Sequence, residues 1–203
     1  MDETALLRAA RKGDLEAFNR LVLAYQGLAY NVALRITGET RSAEDATQEA
    51  FISAFRSLRS FRGGSFRAWL LRIVTNACYD ELRRQKRRPA SSLEDLPASE
   101  EGVDPGGEAT LATAGSHPEE EAERSELRRA IERCLNELPA DFKTLAVLID
   151  IQGLDYQEAA QAIGRPVGTV KSRLARARGR LRNCLKRQGE LLPRQFRLED
   201  EAG

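Results

Sequence analysis

Apolar residues recur every three or four positions along most of this chain, and no stretch reads as a meander of strands. The spacing predicts helices. Thr4 to Lys12 forms a short one, Gly13-Asp14 breaks and recaps, and Leu15 to Ile36 is long, with Phe18, Leu21, Val22, Tyr25, Leu28, Ala29 and Val32 as its inner stripe. Thr37-Gly38 stops it. Ser42 with Asp45 reads as a capping box for a helix through Leu58 that buries Ala46, Ala50, Phe51, Ala54, Phe55 and Leu58, leaving Asp45, Gln48 and Glu49 on a polar side. A Gly63-Gly64 loop follows. Ser65 then caps a helix to about Arg87, in which Trp69, Leu70, Ile73, Val74, Ala77 and Leu82 oppose Arg72, Asn76, Tyr79, Arg83 and Arg87. That block ends in a basic tip, Arg83 to Arg88.

From Pro89 to Pro118 the composition changes to Pro, Gly, Ser, Ala and acid, with too little apolar surface to offset the ordering of the chain. The segment reads as a flexible linker whose ends, as a coil, sit roughly 30 Å apart. Helical spacing resumes at Glu119 and runs to Leu138 through Leu127, Ile131, Cys134 and Leu135; Pro139 breaks it, and another helix lies around Phe142 to Ile151. Asp155 and Glu158 then make a capping box for a helix burying Ala159, Ala160 and Ile163, ended by Gly164. Arg165-Pro166 turns the chain. The last helix buries Val170, Leu174, Ala177, Leu181 and Leu185, and Lys171, Arg173, Arg176, Arg178, Arg180 and Arg182 ring its remaining surface. A capped helix, a tight turn and a cation-rich helix read as a DNA-binding helix-turn-helix, because an α-helix fits the major groove. The fold class is therefore all-α: two small helical domains, 1–88 and 119–188, joined by an acidic linker, 89–118, with a tail at 189–203.

Charge sharpens this picture. The formal net charge is only +1, yet residues 1–89 carry sixteen Lys/Arg against ten Asp/Glu, and residues 90–123 carry ten acids before the first base at Arg124. From Glu119 to Arg187 fourteen bases face eleven acids, all of which precede Pro166. Cys78, Cys134 and Cys184 are an odd number, far apart, and the one histidine is His117. No disulfide framework or zinc site is expected, and the cysteines read as small core residues in a reducing compartment. No apolar run suits a signal peptide or a membrane span, so a cytoplasmic protein is expected.

With both blocks placed, the chain resembles a bacterial RNA polymerase sigma factor of the extracytoplasmic-function (ECF) group. The resemblance rests on AEDATQEAFISAFRSLRSFRG at Ala43 to Gly63, FRAWLLRIVTNACYDELRRQKRR at Phe66 to Arg88, and LPADFKTLAVLIDIQGLDYQEAAQAIGRPVGTVKSRLARAR at Leu138 to Arg178. It implies sigma domains 2 and 4 on either side of the linker, no cofactor, metal or small-molecule substrate, and no enzymatic activity. The implied partners are core RNA polymerase through its β and β′ subunits, promoter DNA, and an anti-sigma factor.

By this resemblance Asp45, Gln48 and Glu49 dock on the polymerase. Phe61, Arg62, Ser65, Phe66, Arg72, Asn76 and Arg83 would open the downstream (−10) element and hold its single strand, with Asn76 lining the pocket of a flipped base. The helix after Pro166 would read the upstream (−35) element, with Lys171, Ser172 and Arg176 near bases and Arg165, Thr169, Arg173 and Arg178 nearer phosphates. In relatives the linker threads the polymerase cleft; its composition equally suits a solvated spacer. Two other functions compete. A conventional operator-binding regulator would account for the second block but not for residues 43–88. A helical enzyme would need a phosphate loop, metal cluster or nucleophile set, and none stands in the sequence.

Overall fold

The computed structural model describes residues 2–87 and 118–188, with the side chains of 118–120 left aside. Residues 88–117, which hold the end of the basic tip and all of the expected linker but Pro118, and the tail 189–203 lie outside the described residues. Eight α-helices and no strand make up the described residues: α1 (Glu3–Arg11), α2 (Leu15–Thr37), α3 (Thr40–Ser57), α4 (Phe66–Arg87), α5 (Pro118–Asn136), α6 (Ala140–Leu145), α7 (Tyr156–Ile163) and α8 (Val167–Arg187).

The helix boundaries follow local chemistry. Asp2 and Asp14 each accept a hydrogen bond from the amide three residues on, at 3.0 and 3.1 Å, capping α1 and α2. Gly38 closes α2 at φ 79°, a left-handed geometry that glycine adopts without a Cβ clash, and α3 starts almost at once. Here one expectation fails. Ser42 does not cap α3, which begins at Thr40 after an extended Glu39; Ser42 is buried, and its hydroxyl bonds Glu39 and Gln85. A single 3₁₀ turn, Leu58–Ser60, leads to the Gly63-Gly64 loop, and Ser65 caps α4 by accepting from the Ala68 amide at 3.1 Å.

In the second unit α6 widens into a π-helical segment, Ala146–Ile151. The capping box of α7 is present in full: Asp155 accepts from the Glu158 amide at 2.8 Å, and Glu158 accepts from the Asp155 amide at 3.1 Å. Gly164 ends α7 at φ 62°.

The two units do not keep separate cores. Leu6, Leu21, Val32, Leu58, Leu70 and Val74 of the first unit share one buried cluster with Val147, Leu148, Leu154 and Ala162 of the second. α7 lies against α4. Arg67 donates to Gln152 at 3.0 Å and Arg35 pairs with Glu132 at 3.0 Å across the same seam. Two smaller clusters complete the second unit: Leu145, Ala159, Ala160, Val170 and Leu174 inside the helix-turn-helix, and Leu135, Leu138, Ala146 and Ala177 beneath α5.

A second expectation also fails. Cys134 and Cys184 are joined in a disulfide that staples α5 to α8, with their Cα atoms 5.7 Å apart. Their separation of 50 residues hides the pairing from sequence inspection. Only Cys78 matches the expected core cysteine; burial pushes its thiol up to about 12.

Candidate nucleic-acid and partner interfaces

Helix α8 has a buried side and an exposed side set by its 3.6-residue repeat. Val170, Leu174, Ala177 and Cys184 are buried, so the opposite face must point outward. Thr169, Ser172 and Arg176 stack at successive turns there, with Thr169 half-buried and Ser172 and Arg176 exposed. The Ser172 hydroxyl donates to the Thr169 carbonyl at 3.0 Å, which fixes its orientation. Lys171 and Arg178 occupy the neighbouring stripe, and Arg165 stands exposed in the turn before the helix.

The cations of α8 are unequal, a distinction that sequence reading missed. Arg178 clasps Asp150 through its Nε and Nη2, at 3.2 and 2.5 Å, and this bond holds its guanidinium firmly charged. Arg173, half-buried, is ion-paired with Asp141. Lys171 lies over the Tyr156 ring at 5.5 Å, and Arg180 over Phe142 at 5.3 Å. The bracing residues Asp141, Asp150 and Tyr156 come from the segments before the turn. The only signal for them in the sequence was a scatter of acids ahead of Pro166. Arg176 is exposed, and unlike Arg173 and Arg178 it forms no ion pair among the described residues.

On the first unit, Asp45, Gln48 and Glu49 lie on the outward face of α3, as expected from their spacing. They line a shallow groove with Ile52 of α3 and Ala77, Asp80, Glu81 and Arg84 of α4. Ile52, 38% exposed, puts an apolar centre among the acids. Arg84 spans the groove, bonding Asp45 at 3.0 Å and Glu81 at 2.6 Å. The acidic face thus already holds one cation of its own.

The seven residues assigned to single-strand binding separate into three groups. Arg72, Asn76 and Arg83 lie along the outward ridge of α4, with Arg83 paired to Asp80 at 2.8 Å. Arg62 is exposed in the loop beside the glycines, and the Ser65 hydroxyl is occupied as the cap of α4. Phe61 and Phe66 are the correction: they are buried at 6% and 2% exposure, so neither offers a ring face to a base. They form an aromatic cluster with Trp69 and Tyr25, at centroid distances of 5.3 to 5.8 Å. In helical spacing an aromatic at a buried position looks the same as one at a stacking position. Tyr25 is tied to Glu3, and burial, the largest cause, together with that bond pushes its phenol up to about 12.

Among the described residues no cluster of His, Cys, Asp or Glu suits a metal ion, and no helix is long and apolar enough to cross a membrane.

Both units match known families. Residues 21–88 match the family described as Sigma-70 region 2, and residues 128–181 match Sigma-70, region 4. The chain is similar to the ECF RNA polymerase sigma-E factor of Escherichia coli, 40% identical over 187 residues, covering 90% of this chain and 94% of that one. It is 36% identical to the RNA polymerase sigma-H factor of Pseudomonas aeruginosa over 174 residues, covering 85% and 88%. Among solved structures it is similar to the sigma factor RpoE in complex with the anti-sigma factor NepR from Bartonella quintana, with a TM-score of 0.60 and 27% identity over 83% of this chain and 96% of that one. It is also similar to CnrH in complex with the cytosolic domain of CnrY, with a TM-score of 0.59 and 28% identity over 89% and 95%.

Proposed function

The chain belongs to the extracytoplasmic-function (ECF) group of RNA polymerase sigma factors, and from that premise we propose that it binds core polymerase in the cytoplasm, directs it to particular promoters and opens the DNA there without itself catalysing a reaction. One observation carries this reading beyond family membership: the polar face of α3, the ridge of α4 and the outer face of α8 all point outward, while most apolar positions of these helices are buried, with Ile52 and Phe55 of α3, the latter expected in the core, left 38% and 40% exposed. Three separate working surfaces suit a factor that must hold a protein, a single strand and a duplex together. An operator-binding regulator would need only the last.

Each surface has a physical role. The groove of Asp45, Gln48, Glu49 and Ile52 combines acids and an amide around an apolar centre, which suits a basic helical surface on the polymerase β and β′ subunits. Arg84 sets a threshold there, because an arriving cation must share Asp45 with it. On α4, the Asn76 amide offers a donor and an acceptor to an unstacked base, and Arg62, Arg72 and Arg83 supply charge for the strand's phosphates. Phe61 and Phe66 act beneath this surface, anchoring the loop that carries Arg62.

On α8, Ser172 and Arg176 face base edges with Lys171 beside them, and Arg165, Thr169, Arg173 and Arg178 serve the phosphates. Loss of an arginine-to-base pair there costs about 1–3 kcal/mol and relaxes preference at one position. An anti-sigma factor is proposed as a further partner, covering the exposed polar surfaces.

The test is co-purification with core polymerase followed by run-off transcription from a promoter pool. The chain is expected to co-purify and to drive transcripts from a defined subset. Gln48→Ala with Glu49→Lys should lose co-purification. Asn76→Ala should keep it and lose permanganate-reactive thymines at the start site. Wild-type protein that binds promoter duplex but never joins polymerase would overturn the proposal.

A further inference from the structure

The Cys134–Cys184 bond lies outside all three working surfaces. It joins two helices that already pack through apolar side chains, so the unit does not depend on it to fold. We propose that Cys134 and Cys184 are a reversible thiol–disulfide pair, oxidised by small-molecule disulfides, that sets how firmly the helix-turn-helix is held together.

The geometry is ready-made. The Cα atoms are 5.7 Å apart, within the range a disulfide spans, so neither oxidation nor reduction requires the backbone to move far. The bond joins the end of α5 to the end of α8: α6, α7 and most of α8 lie inside the covalent loop it closes. Leu135 of α5 and Ala177 of α8, buried in one cluster, keep α5 on α8 when the sulfurs are not joined. The folded unit therefore survives reduction, but with less resistance to opening.

Access is local. Cys184 lies in the penultimate turn of α8, four residues before the cap at Gln188, and is 3% exposed, whereas Cys134 is fully buried. Two exposed contacts cross this end: Arg133 donates to Gln188 at 3.1 Å and Arg187 pairs with Glu137 at 2.9 Å. Helix ends fray, and fraying here uncovers the Cys184 sulfur beside Arg133 and Arg187, cations that favour a thiolate. The Cys184 thiolate attacks one sulfur of a small disulfide, forming a mixed disulfide and expelling one small thiolate. Cys134, giving its proton to water, then attacks the Cys184 sulfur and expels the second. Two protein thiols and one small disulfide thus become one protein disulfide and two small thiols.

Cys78 does not compete. It is fully buried on α4 in the other unit, away from this bond, and its thiol is held protonated. The assignment to a switch rests on the proposed cytoplasmic role, because intracellular disulfides in such settings are characteristically transient or redox-sensing.

The experiment uses the full chain equilibrated with oxidised or reduced glutathione. Mass mapping should join the peptides of Cys134 and Cys184 in the oxidised sample only, with Cys78 alkylated only after unfolding. Closing a loop of about 50 residues should raise the thermal midpoint by on the order of 10 °C. Cys184→Ser and, separately, Cys134→Ala should both lack the rise in midpoint under oxidised glutathione, and Cys134→Ala should gain the mass of one glutathione on Cys184, the mixed disulfide that Cys134 otherwise resolves. The proposal is overturned if the pair never forms under oxidised glutathione, if it resists reduction in the folded protein, or if both redox forms unfold at one temperature. Mass and midpoint are measured without polymerase. A failure of the transcription reading leaves them unchanged and is thereby told apart.

Discussion

Replacing Asp150 by Asn should make the protein bind DNA more tightly but less selectively. Asp150 is the carboxylate clasped by Arg178, and the two side chains are 32% and 53% exposed. A pair so open to water contributes about 0–1 kcal/mol to stability, so the variant should fold normally. Its effect on DNA binding is larger. While Asp150 is present, the Arg178 charge is locally compensated and a phosphate near it meets a carboxylate as well. A carboxamide in its place keeps the shape and removes the charge, freeing one full cation on the flank of α8.

Each additional phosphate neutralised steepens the fall of log K with log salt by about 0.9, so affinity at roughly 50 mM salt should exceed that at 200 mM by an extra factor of about 3. The gain is sequence-independent, because phosphates are alike along the duplex. The assay is fluorescence anisotropy of the full chain on a random-sequence duplex and on a selected upstream element, titrated with salt. An unchanged slope would refute the account of Arg178 as a damped cation. Weaker binding to the selected element alone would assign Asp150 instead to positioning Arg178 for a contact.

Three further outcomes are expected. Ala162→Glu places an unpaired carboxylate in the seam where α7 meets α4, at a position 1% exposed; the units should part, raising the radius of gyration in small-angle scattering above the roughly 17 Å of a compact chain this long, with helicity unchanged. An unchanged radius would mean the seam tolerates the charge. Tyr25 is an acid whose folded pKa is raised, from 10.0 to about 12, so the unfolded chain loses this proton first. Stability is therefore full below pH 10 and declines as pH rises toward 12; in Tyr25→Phe, chemical denaturation across that window should show a shallower decline. Phe66→Ala should cost about 3–5 kcal/mol by urea unfolding, as expected for a buried ring at 2% exposure, whereas a solvent-facing stacking residue would cost little.

Much of the architecture was legible because its causes are local. The capping box at Asp155 and Glu158, the left-handed glycines at 38 and 164, and the buried stripes of α2 and α8 all depend on residues within one or two turns of each other. The exposed faces followed from the same repeat: if Val170, Leu174 and Ala177 turn inward, Ser172 and Arg176 must turn outward. Local reading failed where two local rules gave the same signal. Ser42 had a cap's spacing to Asp45, yet the tight Gly38 turn started α3 earlier and swung the serine against Gln85 of α4. Phe61 and Phe66 flank a glycine loop as strand-stacking rings would, but their neighbours Tyr25 and Trp69 enclose them.

By itself, then, the sequence determined the helices and most of their inward and outward faces, and with them the surfaces proposed for polymerase and DNA, because a 3.6-residue repeat ties each side chain's direction to its nearest neighbours. Only the tertiary structure decided which side chains were already engaged with one another. Asp150 on Arg178, Arg84 on Asp45, Cys134 on Cys184 and the Arg67–Gln152 bridge between units join residues 28 to 85 positions apart. No spacing encodes such meetings; they arise when separately determined helix faces pack against one another and bring distant side chains within bonding reach.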